Sequence, residues 1–482
     1  MLFNSINFAI FLPIVFILYW FFAKGSLKLQ NILLVVASYF FYACWDWRFL
    51  FLLVFSTLLD FYTGEKIESL KAKHKKKLWL LLSVCINLGI LGVFKYYNFF
   101  ANSFADALAL FGIQMNISSL NIILPVGISF YTFHGLSYVF DIYNDKIKPE
   151  RNLVNYSLFV SFFPLLVAGP IERATHLLPQ IVRQREFDYS KAVDGLRQIL
   201  WGLFKKVVIA DNCSKYSDMI FSHSDESSGS TLIAGGLFFT FQVYCDFSGY
   251  SDIALGTARL FGIELLRNFA YPFFSRNIPE LWRRWHISLT SWFKDYLYIP
   301  LGGSSGGKWM SLRNTYIVFL VSGFWHGANW TCVVWGLLHA IYLTPSILFK
   351  TTKSNLDIVA QGKYFPTLKE LSSMLITFGL FVFSLIVFRS TSITHALHYI
   401  EGIFSSTIVS TPNFTGTGKT TQIIILLTVF FVIEWLGREK HHALAELGIK
   451  SPKPIRWAIY YIIILTIYNY AGPEQQFFYF QF

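Results

Sequence analysis

The sequence predicts an all-α polytopic membrane protein. Three observations carry that prediction: apolar runs near spanning length recur along the chain, short basic loops separate them, and only 14% of the 482 residues are charged against 54% hydrophobic and 19% aromatic. Such a chain has too little polar surface for a soluble protein of its size and too many apolar side chains for disorder. Runs such as Ile6 to Ala23, Phe49 to Leu59, Leu78 to Val93, Ile423 to Trp435 and Trp457 to Ile467 approach the roughly 20 residues that cross a bilayer. Counted this way, the chain has about 11 to 14 membrane segments, some short or broken.

Residues 1–97 read as scaffold. The first segment contains Pro13, shows no small-residue cleavage site and is followed at once by the apolar run Ile32 to Cys44, so it is expected to be a retained helix and not a signal peptide. Lys66, Lys71, Lys73, Lys75, Lys76 and Lys77 crowd the loop Glu65 to Lys77, which the positive-inside rule assigns to the cytoplasm. Counting back puts Lys24 and Lys28 inside and the N-terminus outside. Basic residues gathered in short loops also account for the formal net charge of +12 without a nucleic-acid partner. Cys44, Cys85, Cys213, Cys245 and Cys332 are scattered and show no CxxC spacing, so they read as core fillers.

Residues 98–345 are patterned differently. Leu124 to His134 and Phe163 to Arg173 place proline and glycine inside apolar runs, the mark of broken or re-entrant helices. Glu172 to Lys191 is too polar to cross and is expected to be an amphipathic cytoplasmic stretch. Asp246, Ser248, Ser251, Asp252 and Arg259 then sit in an apolar frame, followed by Arg276, Glu280, Arg283 and Arg284. At membrane depth such groups belong against protein or a water-filled funnel. Residues 346–482 return to apolar helices with polar intervals at Lys350 to Lys369 and Ser390 to Thr421. Gly416 to Thr420 is not read as a phosphate loop, because Asn413 stands where that motif needs a glycine.

Two histidines set among tryptophans stand out: His286, after Trp285, and His326, after Trp325. An imidazole titrates near neutrality, and in a dry site it accepts a proton without first losing a solvating shell. The glycine-serine turn Pro300 to Gly307 allows the two segments to fold back on each other. Spacing alone leaves a structural role equally open for both. His134 reads as a helix-packing residue bonded to a carbonyl, and His441 and His442 as part of a solvated charged patch. His339 lies 13 residues past His326, some ~20 Å further along a straight helix, so it is expected to support and not to react. Metal ligation by the pair with Asp295 or Asp246 lacks an HExxH spacing, and a Ser248 triad lacks the GxSxG context.

The segment Trp285 to Gly303, together with Gly323 to Trp330, resembles the membrane-bound O-acyltransferases. Met1 to Ser5, Tyr39 to Ala43, Leu124 to Tyr131, Gly169 to Arg173, Asp246 to Asp252 and Phe477 to Phe482 are similar to the family's bacterial branch, which acetylates alginate and peptidoglycan. The resemblance implies a single membrane domain over residues 1–482, with a catalytic core at 98–345 around a central funnel or tunnel, in the bacterial inner membrane. It implies acetyl transfer from cytoplasmic acetyl-CoA for O-acetylation of a cell-envelope or extracellular polysaccharide, with His326 as general base and His286 as its partner. Trp285, Trp325, Asp295, Tyr296, Arg283 and Arg284 are then expected near the substrate, and Trp285, Trp325 and Trp330 are expected to wall it. Arg283, Arg284 and Arg276 are read equally as contacts to coenzyme A phosphates or as topology anchors. No metal and no tightly bound cofactor are expected, and a periplasmic serine-type (SGNH-like) acetyltransferase is the expected partner. D-alanyl transfer to teichoic acid and a transporter using Asp246 and Asp252 are the alternatives.

Overall fold

The computed structural model describes every residue except 116–119, 121–122, 168, 415–416, 473–474, 476 and 479–482, and the side chains of 417–419. Most of the motif Phe477 to Phe482 and part of Gly416 to Thr420 thus lie outside the described residues. The described residues form helices and turns, with no strand among them. They gather into two compact units, residues 1–192 with 257–266, and residues 193–256 with 267–482. Five helices among them are long and apolar enough to cross a membrane: 27–46, 73–109, 330–348, 368–389 and 420–437. Leu124 to His134 and Phe163 to Arg173 lead into the shorter helices 128–143 and 163–166, as their prolines and glycines predict, whereas Phe49 to Leu59 and Trp457 to Ile467 lie in helices of 22 and 18 residues.

The first unit contains α1 (Ile6–Ile17), α2 (Leu27–Asp46), α3 (Arg48–Ser69), α4 (Lys73–Leu91), α5 (Ile128–Tyr143), α6 (Leu153–Ser161) and α7 (Ala174–Ile181). Ser5 starts α1 by accepting the Phe8 N–H, a cap that satisfies one of the free amides of a helix end. Polar groups join the long helices where lipid offers no competing water. On α3, Asp60 is buried and accepts hydrogen bonds from Ser83 (2.7 Å) and Asn87 (2.9 Å) of α4. Gly135 of α5 makes room for that carboxylate, since a Cβ there would collide with it. α7 buries Leu177, Leu178 and Ile181 on one face, the amphipathic stretch read from the sequence. His134 accepts the Glu172 N–H through Nε2 at 3.0 Å, a helix-packing role. The Glu172 carboxylate is taken by His176 Nδ1 (2.8 Å) and the Leu266 N–H (2.6 Å), and its hydrogen bond holds the His176 pKa above the usual histidine value.

The second unit takes most of α8 (Tyr189–Leu203) and α9 (Gly229–Leu260), then α10 (Ile278–Arg284), α11 (Ile287–Phe293), α12 (Gly307–His326), α13 (Trp330–Leu348), α14 (Leu368–Arg389) and α15 (Thr417–Gly437). Glycines set two of its closest helix crossings. Gly195 and Gly202 of α8 meet Gly256 and Gly249 of α9, and Gly323 of α12 meets Gly336 of α13, with backbone carbonyls occupying the space a Cβ would need. Small residues of this kind let backbones approach where no hydrophobic drive separates helix from lipid.

Candidate active site

The turn between α10 and α11 places the first histidine. His286 is the N-cap of α11 and adopts φ 42°, ψ 53°, the left-handed region. A non-glycine residue held there costs about 1–3 kcal/mol and persists only where its surroundings impose it. Here residues 268–270 impose it. Asn268 accepts the Ile287 N–H on its carbonyl (2.9 Å) and the Ser288 hydroxyl on its side chain (2.9 Å), and the Ala270 N–H donates to the Arg284 carbonyl (2.9 Å). The imidazole is thereby turned into an aromatic box, 4.6 Å from Phe247 and 6.1 Å from Trp325 between ring centres. His286 is 1% exposed, and neither ring nitrogen has a hydrogen-bond partner among the described residues. An unmet buried polar group costs on the order of 1–3 kcal/mol, so the placement of this ring opposes folding.

His326 is the last residue of α12. The chain leaves it through extended Gly327 and reverses into α13, whose start is capped by Asn329 accepting the Thr331 N–H at 3.0 Å. The Gly323–Gly336 crossing brings the two helices together just behind it. His326 is 3% exposed, and its ring centre lies 6.3 Å from that of His286, 4.9 Å from Trp325, 5.1 Å from Trp335 and 5.9 Å from Phe388. The two histidines that the glycine-serine turn separates in sequence therefore share one dry compartment.

The same reversal changes the reading of His339. A continuous helix would carry it far from His326, but the break at Gly327 folds α13 back, and one ring, Trp335, touches both histidines at 5.1 Å and 4.9 Å. His339 Nδ1 accepts the Trp282 indole N–H (3.3 Å), and its Nε2 faces Ser384 Oγ (3.0 Å), a hydroxyl that itself donates to the Phe381 carbonyl (2.7 Å). Both nitrogens are engaged, so His339 pins α10, α13 and α14 together.

The other expected residues divide. Trp325 stands beside both histidines, while Trp285 packs against Phe381 (4.8 Å) and Phe269 (5.1 Å). Trp330 is 54% exposed at the outer start of α13, so it does not wall the compartment; Trp335 and Phe388 do. Asp295 and Tyr296 occupy the π-helical turn Lys294–Tyr298 after α11, where Tyr296 packs on Trp292 at 5.0 Å. Arg276 (3.1 Å) and Arg284 (2.8 Å) share Glu280, Arg276 also binds Asp357 (3.1 Å), holding that carboxyl below its usual range, and Arg283 donates to the carbonyls of Thr352, Ser354 and Asn355. These arginines clamp the loop after α13 onto α10 and do not reach into the compartment. Arg283 and Arg284 do border a basic cleft of ≈ 330 Å³ with Arg267, Arg438, Lys440 and His441. Arg267 and His441 also line a smaller polar cavity beside Asn268 and Phe269, the segment that clamps His286. His442, expected in a solvated patch, is instead buried against Asp194 at 2.9 Å.

Sequence reasoning missed two aromatic walls. Phe477 lies 5.7 Å from Phe247 and Phe478 lies 6.4 Å from Phe388, each beside a neighbour of one histidine. The Phe478 N–H donates to Asp246 (2.8 Å), whose other oxygen meets buried Lys206 (2.7 Å), itself paired with Asp211 (2.8 Å). Asp246 was conspicuous in its apolar frame, but a partner 232 residues away leaves no local signal.

Residues 150–385, which contain both histidines, match the profile of the MBOAT, membrane-bound O-acyltransferase family. The chain is 35% identical over 450 residues to the probable alginate O-acetylase AlgI of Pseudomonas aeruginosa, covering 92% of this chain and 82% of that protein. The chain belongs to the membrane-bound O-acyltransferase family. This acyltransferase is also 36% identical over 433 residues to the peptidoglycan O-acetyltransferase of Helicobacter pylori, covering 84% and 80% of the two chains. The teichoic acid D-alanyltransferase of Bacillus subtilis is 27% identical over 279 residues, 55% of the acyltransferase and 69% of that relative.

Proposed function

We propose that this acyltransferase moves an acetyl group from cytoplasmic acetyl-CoA across the bacterial inner membrane for O-acetylation of a cell-envelope or extracellular polysaccharide, with the N-terminus of the chain outside. The observation that carries the reading is the pair of buried imidazoles, 6.3 Å between ring centres, inside one aromatic compartment. At that separation one oxygen can reach both rings through ordinary hydrogen bonds of about 2.8 Å. His326 takes the proton from an acceptor hydroxyl as its oxygen bonds to the acetyl carbon; the carbon–sulfur bond breaks, and the proton passes on to the coenzyme A thiolate. His286 positions or polarises the reactants. Trp325, Trp335 and Phe388 keep water from the thioester.

The cleft lined by Arg267, Arg284, Arg438 and Lys440, basic on balance despite Glu280 and Glu439 in its wall, suits the donor's phosphates, because guanidinium groups match phosphate geometry. Relatives named for alginate and peptidoglycan acetylation, matched over most of this chain, favour a polysaccharide as final acceptor over teichoic acid, whose named relative is matched over 55%. A periplasmic serine-type (SGNH-like) acetyltransferase completes the transfer to polymer in this reading.

The test uses purified protein in vesicles with acetyl-labelled coenzyme A, following thioester loss and the position of the label. His326→Ala is expected to lower transfer by at least roughly 10²-fold, the ordinary contribution of a general base, with thermal unfolding unchanged. Retention of more than about a tenth of the activity overturns the base assignment.

A further inference from the structure

A second cleft, bounded by α10, α11, α12 and the end of α13, has a volume of ≈ 650 Å³, within the range of about 300–1,000 Å³ usual for small-molecule sites. Trp282, Ile287, Val318, Phe319, Leu343 and Ile347 give it an apolar wall. Its hydroxyls are committed elsewhere: Thr290 to the Trp285 carbonyl (3.4 Å), Tyr298 to Ser304 (2.9 Å) and Ser311 (2.8 Å), and Thr315 to the Ser311 carbonyl (2.8 Å). The interior therefore suits a hydrocarbon.

The rim has the opposite character. Lys294 and Arg283 border the cleft. Lys294 is exposed and has no carboxylate partner among the described residues, and Arg283 bonds to main-chain carbonyls. Thr352 also lines the cleft, between Lys350 and Lys353. Short basic segments of this kind mark the cytoplasmic side of a membrane protein, where anionic lipids collect. We infer that this cleft binds an anionic phospholipid of that leaflet, one acyl chain along the Val318–Leu343 wall and the phosphate between Lys294 and Arg283. Two cations at the mouth of an apolar slot complement that lipid better than a zwitterionic one.

Native mass spectrometry of the full chain, exchanged against phosphatidylglycerol and phosphatidylcholine of matched acyl length, tests the assignment without an activity readout. The wild type is expected to retain phosphatidylglycerol preferentially. Lys294→Glu should lower that retention at least about fivefold, the scale of one or two charges at a membrane surface, and leave phosphatidylcholine unaffected. Val318→Trp, which fills the cleft from a half-buried position, should lower retention of both. Equal retention of the two lipids by the wild type, or unchanged retention in Val318→Trp, overturns the inference.

Discussion

His286 illustrates how a single residue can trade stability for readiness. Its left-handed backbone and unmet nitrogens both oppose folding, and residues 268–270 hold it in place regardless. Replacing it with glycine frees the backbone of a Cβ conflict worth about 1–2 kcal/mol, so His286→Gly should be more stable than His286→Ala by about 1–2 kcal/mol and unfold at a higher temperature, while both lose most acyl transfer. Equal melting temperatures in the same detergent would show that position 286 is not left-handed. His176 offers a different residue-scale outcome. Its pKa is raised by Glu172, so its stabilising contribution is complete below the unfolded value of about 6.5 and disappears as pH rises through the folded value. The melting-temperature gap between wild type and His176→Gln should therefore shrink as pH is raised from below 6.5 to above the folded pKa; a gap independent of pH would refute the pairing.

At the scale of elements, the sequence was most informative where periodic or compositional signals are local. The long apolar runs became α2, α4 and α15, the amphipathic stretch became α7, and the glycine-serine turn before α12 let His326 return to His286. It was least informative where a break changes direction. Gly327 to Asn329 converts one apparent helix into two and brings His339 within one tryptophan of His326, which residue spacing cannot reveal. Trp330 faces outward for the same reason, because it starts the returning helix. Phe477 and Phe478 were invisible as site residues, since only tertiary packing brings them to Phe247 and Phe388. The α12–α13 crossing also makes a prediction. Gly336→Ala places a methyl group against the Phe319 carbonyl; overpacking of this kind costs about 1–3 kcal/mol and should displace His326, lowering both the melting temperature and the turnover number. Turnover equal to wild type would show that the crossing does not position the histidine.

For the molecule as a whole, topology rests on charge, because Lys66, Lys71, Lys73, Lys75, Lys76 and Lys77 crowd the facing ends of α3 and α4 and the short turn between them, where a longer loop was expected. A cysteine introduced as Ser69→Cys, with exposed Cys44 and Cys85 replaced by serine, should react with an impermeant maleimide only after the cytoplasmic face is opened. Labelling in intact cells would reverse the orientation. Direction also matters inside the protein. The reversal at Gly327 leaves the carboxyl end of the 20-residue α12 at His326, and the aligned peptide dipoles of a helix amount to roughly half a negative charge at that end. In the proposed reaction, where His326 takes up a proton, the new positive charge forms beside this helix terminus. The attraction, on the order of 0.3–2 kcal/mol, acts only on the charged ring. In the proposed reaction, one helix end thus favours the protonated ring over the neutral one.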